Sequence, residues 1–194
     1  MYENIKRFFD LFLAFLFLII LSPIFIFVSL LIFIFMGLPI FFVQRRPGYK
    51  GKIFKLIKFR TMSSGKTKSG EYIPEKDRIS NLGKFLRKTS VDELPELINI
   101  IKGEMSFIGP RPLLEEYINL YSKEEFSRHD VKPGLSGWAQ LNGRNTINWE
   151  DKFQYDLWYV KNINFFLDFK ILVSTIFYIL KIDKVNNKNE LSMP

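Results

Sequence analysis

Ser90-Val91-Asp92-Glu93-Leu94-Pro95 sets two adjacent carboxylates one helical turn after a pair of cations, Arg87-Lys88. Proline is favoured in a first helical turn, where its missing N–H would be unpaired anyway, so Asp92 and Glu93 are predicted at a helix N-terminus. Two readings of the pair follow. Ser90 with Glu93 has the spacing of a capping box, and acids at that end complement the helix dipole. Alternatively, adjacent carboxylates beside cations can hold Mg2+ and present one oxygen as a nucleophile toward phosphorus.

Other segments offer partners for a phosphate. Gly109-Pro110-Arg111-Pro112 holds an arginine between two prolines, each of which fixes its own φ and biases the residue before it. A guanidinium on so stiff a turn suits bidentate phosphate recognition, or a pairing with a nearby carboxylate. Lys58-Phe59-Arg60-Thr61 presents the same choice, with contact to lipid headgroups as its simpler reading. Pro133 to Gln140, followed by Asn142-Gly143-Arg144, combines glycines with Trp138, Gln140 and Arg144. That stretch can frame a nucleotide or sugar, or be a packed loop around a core tryptophan. Asp156 and Asp168 are expected to pair with neighbouring cations, and His129 is expected at the surface without a role.

These residues need elements to hold them. The chain has 194 residues, enough for one domain with a sizeable core. It is 47% hydrophobic and 25% charged, which excludes a disordered or collagen-like chain. The absence of cysteine excludes disulfides, thiolate metal sites and a cysteine nucleophile, and fits a reducing compartment. From Leu11 to Val43 there is no charged residue, whereas Gln44 to Gly70 carries nine basic side chains and no acidic one. The formal charge of +8 therefore sits in that block, and the rest of the chain is at −1. An apolar run joined to cations points to a membrane with anionic headgroups rather than to nucleic acid.

The apolar run of 33 residues would extend about 50 Å as one helix, against a hydrocarbon core of about 30 Å. Tilt could absorb part of the excess. Ser22-Pro23 predicts a kink, because proline removes a helix hydrogen bond and the serine hydroxyl can serve a freed backbone group. Basic flanks on both sides suit a helix that bends there and leaves by the same face; a single tilted span is the alternative. Ile40 to Val43 reads as an extended entry to the remainder. Residues 53–60 read as a strand or an interfacial helix, 63–78 as a mobile loop, and 80–88, 92–102 and 113–126 as helices. Residues 165–182 read as an interfacial or core helix. The expected class is mainly α with minor β. The expected division is a membrane part at 1–43, a folded part at 44–185 and a tail at 186–194.

Taken together and in order, these segments resemble the bacterial sugar transferase family, the monotopic polyprenyl-phosphate phosphoglycosyl transferases. The resemblance is carried by Lys6-Arg7-Phe8-Phe9-Asp10, Ser22-Pro23, Gly37 through Arg46, Lys58 through Met62, Leu86 through Leu97, Gly103 through Pro112, Lys132 through Arg144, and Asp156-Leu157-Trp158-Tyr159-Val160. It implies that Asp92 attacks the β-phosphate of a UDP-sugar, releasing UMP, and that polyprenyl phosphate then displaces the aspartate. It implies that Glu93 helps Asp92 hold Mg2+, and that Lys58, Arg87 and Arg111 neutralise the diphosphate. Arg60, Gln140, Arg144 and Asp156 are placed among the substrate-binding residues on the same basis. The Ser-Pro break implies a re-entrant helix, with the catalytic part on the cytoplasmic face of the bacterial inner membrane.

The short chain is similar to family members that use UDP-N,N′-diacetylbacillosamine in protein N-glycosylation, with galactose, glucose and N-acetylgalactosamine donors left open. Downstream glycosyltransferases are the expected partners. A membrane-tethered scaffold without catalysis, and a glycosyltransferase that releases UDP, are the rival readings.

Overall fold

The computed structural model describes residues 2–63, 65, 74, 78–143 and 147–180. Most of the 63–78 segment and all of the 186–194 tail lie outside them. The chain begins with two apolar helices, α1 (Tyr2–Ile20) and α2 (Ser22–Met36), bent by 62° at their junction. Pro23 has no N–H for the Ile19 carbonyl, and the Ser22 hydroxyl donates to that same carbonyl at 2.8 Å. Serine thus supplies to the Ile19 carbonyl the bond that proline removes. Among the described residues no single helix is long and apolar enough to cross a membrane; the bent pair is so only jointly.

An antiparallel hairpin follows, β1 (Phe41–Pro47) and β2 (Ile53–Phe59), so 53–59 is a strand and not an interfacial helix. Side chains alternate across a strand, and Phe54 and Leu56 face one core with Leu97 and Ile100. Lys58 continues that face. Phe59 points the other way, against Val28, Ile32 and Leu86. Next come α3 (Asn81–Lys88), a 3-10 turn (Val91–Glu93) and α4 (Glu96–Lys102). Strand β3 (Ser106–Ile108) pairs in parallel with β4 (Gly134–Ser136). The expected helix over 113–126 is instead a 3-10 segment, Glu115–Leu120, and one turn, α5 (Lys123–Phe126). Helices α6 (Trp138–Leu141), α7 (Trp149–Asn162) and α8 (Phe165–Leu180) complete a mainly helical fold.

The apolar pair packs onto the remainder at both ends. Ala14 of α1 lies in the core with Phe107, Tyr159 and Ile171. Arg7 donates to the carbonyls of Ile100 and Ile101, at the end of α4. At the far end Arg60 donates to the carbonyls of Met36, Gly37 and Leu38.

Candidate active site

Asp92 and Glu93 sit on the 3-10 turn between α3 and α4, and the local backbone explains their placement. Ser90 adopts φ 56°, a left-handed conformation that costs a non-glycine residue roughly 1–2 kcal/mol. The turn reverses the chain between the two helices. Ser90 caps nothing through its side chain, so the capping-box reading fails. The cap of this region is Ser80, whose hydroxyl accepts from Gly83 N–H at 2.9 Å to start α3. At Gly83 a Cβ would lie 2.0 Å from the Thr61 carbonyl, so only glycine lets α3 approach β2's end this closely. That approach brings Arg87 within reach of Thr61, whose hydroxyl accepts from its Nε at 3.0 Å.

Lys58 and Arg111 converge on Glu93. Lys58 Nζ lies 2.7 Å from Glu93 Oε1, and Arg111 Nη2 lies 2.7 Å from the same oxygen. Oε2 accepts nothing among the described residues. Lys58 also lies 3.1 Å from Glu96, which is almost wholly buried. Asn99, one turn further along α4, fixes the strand that carries Lys58. Its side-chain oxygen accepts from Ile57 N–H at 3.0 Å and its amide donates to the Lys55 carbonyl at 2.7 Å. The amide thus occupies the edge of β2 opposite β1, as a neighbouring strand would.

Arg111 is held from below. Its carbonyl accepts from Arg128 Nη2 at 2.8 Å, and Arg128 also donates from Nε and Nη2 to Asp156 Oδ2 at 3.1 and 2.6 Å. Both members of this pair are 2% exposed. The nearby Gly109 is obligatory too, since a Cβ there would lie 2.3 Å from the Lys132 carbonyl. The stiff Gly-Pro-Arg-Pro turn is thereby clamped between β4 and a buried guanidinium.

Asp92 differs from every other acid nearby. It is 9% exposed, and among the described residues nothing donates to its carboxylate. Burial, and then the charge of Glu93, push it up to about 6 against the opposing pull of Lys58, Arg87 and Arg111. Burial also raises Glu93, but the adjacent Arg111 and Lys58 outweigh it and hold that carboxyl well below its usual range. Burial and the Glu93 charge raise Glu96. Three cations thus face one committed carboxylate, one held toward neutrality and one left open.

Several expectations are corrected. Arg60 is committed to carbonyls at the end of α2 and does not reach the acid pair. Asp156 pairs with a cation as its residue type led one to expect, but that cation is Arg128 in the core, and Asp156 lies buried there and not on a surface for substrate. Gln140 donates to the Leu135 carbonyl at 3.3 Å on the α6 side. Arg144 lies outside the described residues. His129 is buried, not at the surface: it is 3% exposed, packs against Tyr121 and Phe126, and bonds the Gly48 carbonyl at 3.1 Å. Burial and then Arg128 push it down to about 4, so it is neutral at pH 7 and Nδ1 donates. Glu96, Thr61, Asn99 and Arg128 were not anticipated. For Glu96 a signal existed, since residues three and four apart share a helix face with Glu93 and Asp92.

The acid pair fits a divalent cation in one form only. Among the described residues there is no group of three or more His, Cys, Asp or Glu able to cage an ion. Mg2+ is commonly held by one or two carboxylates together with substrate phosphates and water, and Glu93 Oε2 with Asp92 offers that set.

Comparison with known proteins identifies the family. Residues 1–182 match the family model described as bacterial sugar transferase. The chain is 46% identical to the uncharacterized sugar transferase EpsL of Bacillus subtilis, over 97% of this chain and 93% of that protein. It is 38% identical to the UDP-glucose:undecaprenyl-phosphate glucose-1-phosphate transferase of Escherichia coli over 89% of this chain, and to 39% of the length of that protein. It is 34% identical to the undecaprenyl-phosphate galactose phosphotransferase of Salmonella typhimurium over 92% of this chain and 41% of that protein. The chain belongs to the bacterial sugar transferase family.

Proposed function

We propose that this protein moves a sugar 1-phosphate from a UDP-sugar to undecaprenyl phosphate, with Asp92 as the nucleophile. The observation that carries the reading is the contrast within the acid pair: Asp92 is buried and, among the described residues, without a donor, beside a Glu93 bound by Lys58 and Arg111. An Asp92 oxygen attacks the β-phosphorus, and the bond from that phosphorus to the bridging oxygen breaks, so UMP leaves with the electron pair. A phosphate oxygen of undecaprenyl phosphate then attacks the same phosphorus and expels Asp92, giving the lipid diphosphate sugar. No oxidant, reductant or net proton is required.

Charge decides whether the first step is feasible. A carboxylate about 4 Å from one phosphate charge is repelled by roughly 4 kcal/mol at an effective dielectric of 20. Lys58, Arg87 and Arg111 offset that repulsion from fixed positions, which needs no reorganisation as the new bond forms. Asp92 and Glu93 Oε2 would hold Mg2+, which would supply further neutralisation of the diphosphate.

The bent α1–α2 pair is read as re-entrant, because its two ends are bound to one compact body through Arg7 and Arg60. Both flanks then share a membrane face, placing residues 44–185 on the cytoplasmic side of the bacterial inner membrane beside anionic lipid. Glucose and galactose are named for the relatives above, and N-acetylgalactosamine for one of Aeromonas hydrophila. These sugars, with N,N′-diacetylbacillosamine, form the donor panel. The test is the nucleotide released when each UDP-sugar is incubated with undecaprenyl phosphate and Mg2+. UMP is the expected product. UDP would make this a glycosyltransferase, and no nucleotide from any donor would leave the scaffold reading.

A further inference from the structure

Lys6, Arg7 and Asp10 lie within the second and third turns of α1, and each is tied to a different element of the catalytic body. Lys6 pairs with Asp168 on α8. Asp10 accepts from the Ser106 hydroxyl at 3.0 Å and from Phe107 N–H at 3.1 Å, on β3. Arg7 donates from Nη1 to the Ile100 carbonyl at 2.6 Å and from Nη2 to the Ile101 carbonyl at 2.8 Å. These are last-turn carbonyls of α4, where a cation is favoured by the helix dipole; the Ile100 carbonyl also accepts from Gly103 N–H at 3.0 Å.

The target of Arg7 gives the contact its weight. Helix α4 has seven residues, too few to be stable alone, so its position is set by what grips it. Its N-terminal end follows the turn bearing Asp92 and Glu93, and its first residue is Glu96. Its middle residue, Asn99, holds the β2 edge that carries Lys58. Its last turn is held by Arg7, whose guanidinium lies against Gly103 at φ 83°; a Cβ there would stand 3.2 Å from Nη2.

We infer that Arg7 is a positioning residue: its paired hydrogen bonds to the end of α4 tie the apolar helix α1 to the register of Asp92, Glu93 and Lys58. The seating of α1 in the membrane is thereby transmitted to active-site geometry. The kinetic part of this inference rests on the reaction proposed above; the structural part does not.

The test compares the full chain in phospholipid vesicles with Arg7→Gln and Arg7→Lys, by hydrogen exchange and by steady-state kinetics. In Arg7→Gln, amide exchange across 96–105 is expected to rise about tenfold, with α7 unchanged and the protein still sedimenting with vesicles. Displacing reacting groups by a fraction of an ångström is expected to lower kcat by about 10–100-fold, with KM for the UDP-sugar within about twofold. Arg7→Lys is expected to recover part of both losses, since one ammonium can serve one of the two carbonyls. Unchanged exchange across α4 in Arg7→Gln overturns the inference, whatever the activity. If Arg7→Gln loses protection throughout, Arg7→Lys decides. Loosening confined to α4 supports the inference, and behaviour equal to wild type overturns it. Failure of the wild-type chain to release UMP would remove the proposed reaction while leaving the exchange result readable.

Discussion

Asp92 and Asp156 are both buried aspartates near arginines, and they are built in opposite ways. Asp156 receives two nitrogens of Arg128 on one oxygen, and Arg128 Nη2 also donates to the Arg111 carbonyl. Its charge is matched at contact distance, and removing it would strand a buried guanidinium. Asp92 has cations around it but, among the described residues, no donor upon it. The difference teaches how to separate a structural buried acid from a reactive one. A carboxylate saturated by the fold contributes position, while one the fold leaves open keeps its lone pairs for an incoming group, at a cost in stability.

The sharpest way to break that comparison is Asp92→Asn. It is expected to lower kcat by about 10⁴-fold or more, as removal of a nucleophile does. It is also expected to stabilise the fold. With its folded value raised to about 6, Asp92 is more stable protonated, and that contribution is lost as pH rises through about 6. At pH 7 the substitution therefore recovers on the order of 2 kcal/mol, seen as a thermal midpoint several degrees higher. A helix-capping acid would behave the other way, losing about 1 kcal/mol. A lower midpoint with activity retained would return Asp92 to that role.

Asp156→Ala probes the other side of the comparison. Leaving Arg128 buried and unpaired is expected to destabilise the chain by roughly 3–5 kcal/mol in denaturant unfolding. A loss below about 1 kcal/mol would mean that the pair is not the clamp described.

The smallest effect concerns pH. kcat/KM reports the free enzyme, so its acid limb is expected near pH 6 with a slope of one, marking protonation of Asp92. Lys58→Gln removes a charge that lowers Asp92 and should move the limb upward. A limb near pH 4 would place the essential ionisation on an ordinary exposed carboxylate.

What the sequence made legible follows the range of the forces involved. The Ser22-Pro23 break is a matter of one missing N–H and one hydroxyl, so it was readable locally. Asp92, Glu93, Lys58 and Arg111 stood out as residue types, but their convergence depends on Asn99 reaching from α4 to β2, which no local pattern encodes. The capping box at Ser90 and Glu93 matched in spacing and failed because distant Lys58 and Arg111 claim the Glu93 carboxylate. Arg60 resembled its basic neighbours, yet its partners are carbonyls more than twenty residues earlier. His129 and Arg128 looked like a polar surface run. Their burial follows from Asp156, 28 residues away from Arg128, and from Tyr121 and Phe126 packing around the imidazole. The hairpin strand was ambiguous because Lys58 occupies a position that the alternation would give to an apolar residue.

The central claim is that Asp92 carries the phosphosugar between the two half-reactions. Incubating the chain with a UDP-sugar it accepts and Mg2+, without undecaprenyl phosphate, and following UMP together with intact-protein mass tests it most directly. The expected result is a burst of about one UMP per active site, a mass increase of one phosphosugar located on the peptide bearing Asp92, and loss of that adduct when undecaprenyl phosphate is added. UMP formation only when undecaprenyl phosphate is present, with no adduct on Asp92, would contradict it.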